Sequence, residues 1–197
     1  MKTINSSSTR RSRAYVYHAQ QNVTNASFRW QPDAGNSEKA VGRVFVTLIG
    51  KDDRHQITAM LTSFGNGLQA IFIHHSPSSA PVSERTAVSM NESIHMELDV
   101  DPKTSNVVFW INDKGMDMGI IPGFEGGASA ARWMATGDRH AHKLTGKLTD
   151  CAVATTDGWR ATRFRDEHVN RQDLHEDHIF DVSSPNSIAI GGLRSIV

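Results

Sequence analysis

The 197-residue chain contains ten histidines, and their spacing decides which of them can act together. His95 and Glu97 alternate with Ile94, Met96, Leu98 and Val100, so in a strand both leave the apolar face and point outward. An imidazole beside a carboxylate on one face can serve as general acid and base, and His55, flanked by Arg54 and Gln56, supplies another such group. The same residues also describe an ordinary polar sheet face. His95, Glu97 and Asp99 are the residues of this stretch that strand alternation leaves unexplained.

Metal chemistry would draw on two other clusters. His140 and His142 share one face if their segment is a strand, and His175 and His178 share one face if theirs is helical, with Asp177 nearby. Imidazole and carboxylate suit a divalent transition metal, but neither spacing matches a named zinc-enzyme pattern, so the expectation is no cofactor, with a divalent metal as the alternative. His74 and His75 are neighbours on a strand and point to opposite faces, which prevents them from chelating one ion. Asp99, Asp101, Thr104 and Asn106 have the composition of a calcium loop but not its glycine or its closing glutamate, and they read as a turn.

A sugar site wants an aromatic platform for the apolar face of the ring and amide, carboxylate or guanidinium groups for its hydroxyls. Trp133 beside Arg132 in a Gly-rich stretch is the first candidate, and Trp159 beside Arg160 the second. Core packing competes for Trp30 and Trp159. Trp110, in the apolar run Val107 to Ile111, is assigned to the core.

These side chains must be positioned by strands. Ile94 to Ile121 reads as a three-stranded meander: an alternating strand to Val100, a turn opened by Asp101-Pro102, an apolar strand to Ile111, a turn over Asn112 to Gly115 with Gly supplying positive φ, and a third strand. Ala14 to His18, Ala26 to Trp30, Arg43 to Ile49, His55 to Thr62, Leu68 to His74, Glu84 to Met90, Lys147 to Thr155 and Trp159 to Arg165 add further strands, the last pair joined at Asp157-Gly158. Ile179 to Val182 and Ser187 to Ile190 close the series. The alanines of Ala128 to Met134 make it the best helix candidate, and Asp166 to Asp177 reads as a charged loop or short helix. The pattern predicts an all-β fold, a two-sheet antiparallel sandwich of the jelly-roll type with at most one or two short helices.

Length argues for one domain over residues 14–197, preceded by a mobile basic arm over 1–13 carrying Arg10, Arg11 and Arg13. Basic and acidic residues number 21 each, so no global field favours nucleic acid; only the arm offers weak phosphate contacts. Cys151 is the single cysteine, which excludes an intrachain disulfide and fits a small buried hydrophobe. No secretory signal or membrane-spanning stretch is evident, so the default expectation is a soluble, cytoplasmic protein; its oligomeric state is open.

The meander, with its strand, turn, apolar strand, turn and strand, resembles the hairpins of concanavalin A-like and laminin G-like sandwiches. Ser187 to Leu193 is similar to a strand near the end of such domains. The resemblance covers about a quarter of the chain and rests on turns. It implies a lectin-like, non-enzymatic sandwich that binds a glycan or a partner protein surface. A polysaccharide lyase or hydrolase using His55, His95 and Glu97 is the alternative, and a structural assembly protein of the phage or virion kind is a further one.

Overall fold

The computed structural model describes residues 4–5, 13–52, 54–77, 79–137, 144, 146–156 and 160–162. In chain order the strands are β1 (Ile4–Asn5), β2 (Arg13–Pro32), β3 (Val41–Ile49), β4 (Gln56–Phe64), β5 (Leu68–Ser76), β6 (Ser79–Val88), β7 (Ile94–Val100), β8 (Asn106–Ile111), β9 (Lys114–Ile120), β10 (Ala128–Gly137), β11 (Gly146–Thr155) and β12 (Arg160–Thr162). All pairings are antiparallel. The described residues contain no helix, and so none long and apolar enough to cross a membrane.

β2 organises the topology. Its first half pairs with β10, which leads through β3, β4 and β5 to β6; its second half carries β7 on one edge and β11 on the other, and β7 leads through β8 to β9. One 20-residue strand therefore serves two layers. Register shifts between Ala128 and Ala130, and between Ala154 and Thr155, lie where the pairing changes hands, as expected of bulges that bend a strand from one sheet into another.

Alternation makes the core. Val44, Val46, Leu48, Ile57, Ala59, Leu61, Ala70 and Phe72 of the first layer meet Phe28, Trp30, Ile94, Met96, Leu98, Val107 and Phe109 of the second, all essentially inaccessible to solvent. Phe72 and Phe109 touch across the layers with ring centroids 5.8 Å apart. Each large apolar side chain buried in this way contributes about 1.5–3 kcal/mol before the entropy of ordering is set against it. Cys151 is among the buried residues, and Trp30 is core, with Gly146 so close to its indole that a Cβ there would clash with the ring.

Several expectations are corrected. Ala128 to Met134 is not helical: it belongs to β10, held between β2 and β3, because two flanking strands outweigh the modest helical preference of alanine. Ala14 to His18 and Ala26 to Trp30 are parts of one continuous strand. The turn after β8 takes its positive φ at Asn112 (53°), and Gly115 lies within β9. The turn at Asp101 follows expectation: its carboxylate accepts the Lys103 N–H and the Thr104 hydroxyl at 2.8 Å each. Ile4 and Asn5 pair with Leu148 and Lys147 of β11, while the rest of residues 1–12 lies outside the described residues. So do the expected strands Ile179 to Val182 and Ser187 to Ile190 and the segment Asp166 to Asp177.

Candidate functional site

The outer face of the second layer gathers the polar residues that the core does not use. Register sets the rows: on β2 and β7, Asn25 lies opposite Asp99, Ser27 opposite Glu97 and Arg29 opposite His95; on β7 and β8, Glu97 lies opposite Trp110 and Asp99 opposite Val108. Asn25 Nδ2 donates to Glu97 Oε1 at 2.6 Å, and the same amide hydrogen-bonds the Asp99 carboxyl, so one side chain ties two acids together. Arg29 Nε stands 3.3 Å from Asp150 Oδ2 at the β11 side. Asn112 clamps the start of β7 by accepting the His95 N–H at 2.9 Å and donating its own N–H to His95 O at 2.8 Å.

Electrostatics differ along this row. Burial holds the His95 imidazole below its ordinary 6.5, against the opposing pull of Glu97, so it is neutral at pH 7. His95 Nε2 lies 3.9 Å from Glu97 Oε2, which is contact without a hydrogen bond. Burial also pushes the Asp99 carboxyl above 3.8, with the Asn25 amide pulling the other way. Asp99 also borders an open cleft of about 410 Å³ at the end of β7, lined in addition by Thr24, Asn106, Val108 and Thr155.

Trp110 completes the face. It is half-buried, it lies opposite Gly115 in the ladder, and its six-membered ring occupies the space a Gly115 Cβ would need, 2.8–3.0 Å away. The glycine leaves the room that the indole takes over β9. Trp110 Nε1 is shielded and has no hydrogen-bond partner among the described residues.

No family model matches the chain, and no curated protein matches it in sequence. In three dimensions it is similar to scytalido-glutamic peptidase bound to a transition state analog inhibitor, with 12% identity over 90% of this chain and 96% of that one and a TM-score of 0.51. It is also similar to a legume lectin-like domain from Entamoeba histolytica, with 7% identity over 74% and 80% of the two chains and a TM-score of 0.50. The fold is an all-β, antiparallel β-sandwich of the jelly-roll type. A peptidase and a lectin-like domain both sit on similar frames, so the sandwich leaves function to its side chains.

Within this sandwich the expected site residues scatter. Trp133 is 1% exposed and donates its indole N–H to Ser27 O at 3.0 Å, a core residue and not a platform. Arg132, its neighbour on β10, points to the opposite face and lies beside Thr47, so the two cannot form one site. His95 and Glu97 do come together. His55 does not join them: it precedes β4 in the first layer, stacked on His74. Arg160 pairs with Ala154 in β12, but its side chain lies outside the described residues, as do Trp159, His140, His142, His175 and His178. Among the described residues no three His, Cys, Asp or Glu side chains converge to hold a metal.

Sequence reasoning missed Trp110, Asn25 and Arg29. The signal for Trp110 was parity: with Val107, Phe109 and Ile111 facing inward, residue 110 has to face out, and a glycine opposite it marks an overlying ring.

Proposed function

We propose that the outer face of the β2, β7, β8 layer binds carbohydrate without chemical turnover. Trp110 offers a ring for the apolar face of a sugar, while Asn25, Glu97, Asp99 and Arg29 offer the amide, carboxylate and guanidinium groups that hydroxyls require. The observation that carries the reading is the indole packed against Gly115 directly opposite Glu97, an outward aromatic beside the acids of β7. A partner protein surface is the competing occupant of the same face. A glycan array followed by calorimetry on the best ligand tests the reading: Trp110→Ala is expected to weaken binding by more than about tenfold, equivalent to roughly 1.4 kcal/mol. Absence of any glycan signal from the intact protein would refute it.

One observation favours a second reading, a polysaccharide-cleaving enzyme. Two carboxyls alternate on one strand face, and one of them, Asp99, is pushed toward the protonated form that a general acid needs. Release of reducing or unsaturated ends from a polysaccharide panel, lost in Glu97→Gln and Asp99→Asn, is the outcome that reading expects.

A further inference from the structure

The strands around Trp110 carry charge of one sign. Trp110 lies opposite Glu97 of β7, a direct cross-strand pair whose Cβ atoms are about 4.5–5.5 Å apart. Asp99 of β7 and Asp117 of β9 stand diagonal to it, about 7–8 Å away. Three carboxyls thus border one indole. Among the described residues, the outward register positions of β7, β8 and β9 hold no lysine or arginine. Arg29, opposite His95 on β2, is turned to Asp150 at 3.3 Å. The first layer is the reverse: the outward register positions of β3, β4, β5, β6 and β10 carry Arg43, Arg85 and Arg132 and, among the described residues, no acid. In a chain with 21 basic and 21 acidic residues, this is segregation by face.

The acids by Trp110 are reachable and keep acceptor capacity. Glu97 retains 27% of its side-chain exposure, and Asp117 is exposed. Glu97 accepts the Asn25 amide through Oε1, while Oε2 has the 3.9 Å approach of His95, which is too long for a hydrogen bond. Burial, together with the nearby Asp101, pushes the Asp99 carboxyl up against the pull of its hydrogen bonds, a condition that a bound cation would relieve. An indole face beside carboxylates attracts a cation twice, through the ring quadrupole and through charge. The cleft of about 410 Å³ that Asp99 and Val108 border gives room for a ligand to extend past the ring.

Resting on the carbohydrate reading of this face, we infer that its ligand is a glycan with free amino groups, of the glucosamine-oligomer class, one protonated amine lying over Trp110 among Glu97, Asp99 and Asp117. The cleft beside Asp99 takes the adjoining sugar. Uronate, sialyl and sulfated glycans are rejected, because their anions would face three carboxyls.

The test is calorimetric titration of the full chain with β-1,4-linked tetramers of glucosamine, N-acetylglucosamine and glucose and with tetragalacturonate, at a pH that keeps the amine protonated. The glucosamine tetramer is expected to bind more than about tenfold tighter than its acetylated and neutral counterparts, to weaken as salt rises, and tetragalacturonate not to bind. Glu97→Gln and Asp99→Asn should each shrink the preference for the amine by about threefold or more. Glu84→Gln, at an exposed position on β6, should leave it unchanged. A neutral or acidic glycan bound as tightly as the amine would overturn the inference and leave the carbohydrate reading standing, whereas binding of no glycan would overturn both. A preference undiminished in both β7 variants would also overturn it. If either variant fails to fold, the salt series on the intact protein decides, and a preference indifferent to salt counts against the ammonium group.

Discussion

The two layers present similar apolar faces to each other and different faces to the outside. On the first, Thr47 and Thr58 are buried and hydrogen-bond each other at 2.8 Å, Thr62 gives its hydroxyl to Gly42 O, and Ile49, Ile71 and Ala130 are also shielded. On the second, Asn25, Arg29, His95, Glu97 and Asp99 remain accessible in part, two of the titrating groups are shifted by burial, and Trp110 keeps an N–H unpaired among the described residues. A face whose threonine hydroxyls are satisfied within the sheet is mainly architecture, although Arg132 Nε beside Thr47 is shielded there without a partner among the described residues. One that carries partly desolvated charges beside an outward aromatic has chemistry left over, and such residues are candidates for recognition.

The contrast can be broken by substitution. The largest effect is expected from Trp133→Ala, which empties the space between the layers and removes the donor to Ser27 O; about 3–5 kcal/mol of stability should be lost in chemical denaturation. A loss below about 1 kcal/mol would mean that Trp133 is not core. Thr58→Val comes next, since it leaves the buried Thr47 hydroxyl without its partner and should cost about 1–3 kcal/mol.

On the second layer the sign reverses. Because the folded protein raises the Asp99 carboxyl above 3.8, its contribution to stability is fully present below 3.8 and is lost as pH rises through the folded value. Asp99→Asn should therefore raise the thermal midpoint at pH 7, with the gain vanishing below pH 3.8; an equal gain at both pH values would contradict this. His95 behaves in the opposite sense. Its folded value is depressed below 6.5, so its contribution is present above 6.5 and falls away as pH drops through the folded value, and His95→Gln should flatten that acid limb. The smallest effect is expected from Arg29→Ala, which breaks a partly exposed ion pair with Asp150 and should alter stability by less than about 1 kcal/mol while still weakening any ligand on that face.

Most of the sheet could be read in advance because one residue in two faces the core. β7 is the clearest case: Ile94, Met96, Leu98 and Val100 inward, His95, Glu97 and Asp99 outward. Where reading failed, two physical causes competed for one residue. Gly115 was explained by a turn that Asn112 in fact makes, and its real constraint, the indole above it, requires knowing which strand lies opposite. Trp110 was assigned to the core because Val108 and Trp110 made the outer face of β8 as apolar as its inner one. Ala128 to Met134 has helix-forming residues, but propensities of a few tenths of a kcal/mol per residue yield to a central place in a sheet. The stacking of His55 on His74 depends on the β4–β5 register, in which Ile57 faces His74, and no local pattern announces it.

The central claim is that Trp110 and the acids beside it form a carbohydrate site while Trp133 supports the fold. The most direct measurement is calorimetric titration of the best array ligand into the intact protein, Trp110→Ala and Trp133→Phe, each checked by its unfolding curve. The account predicts that Trp110→Ala keeps most of its stability and loses binding by more than about tenfold, and that Trp133→Phe loses stability but binds while folded. Undiminished binding by a folded Trp110→Ala would contradict it.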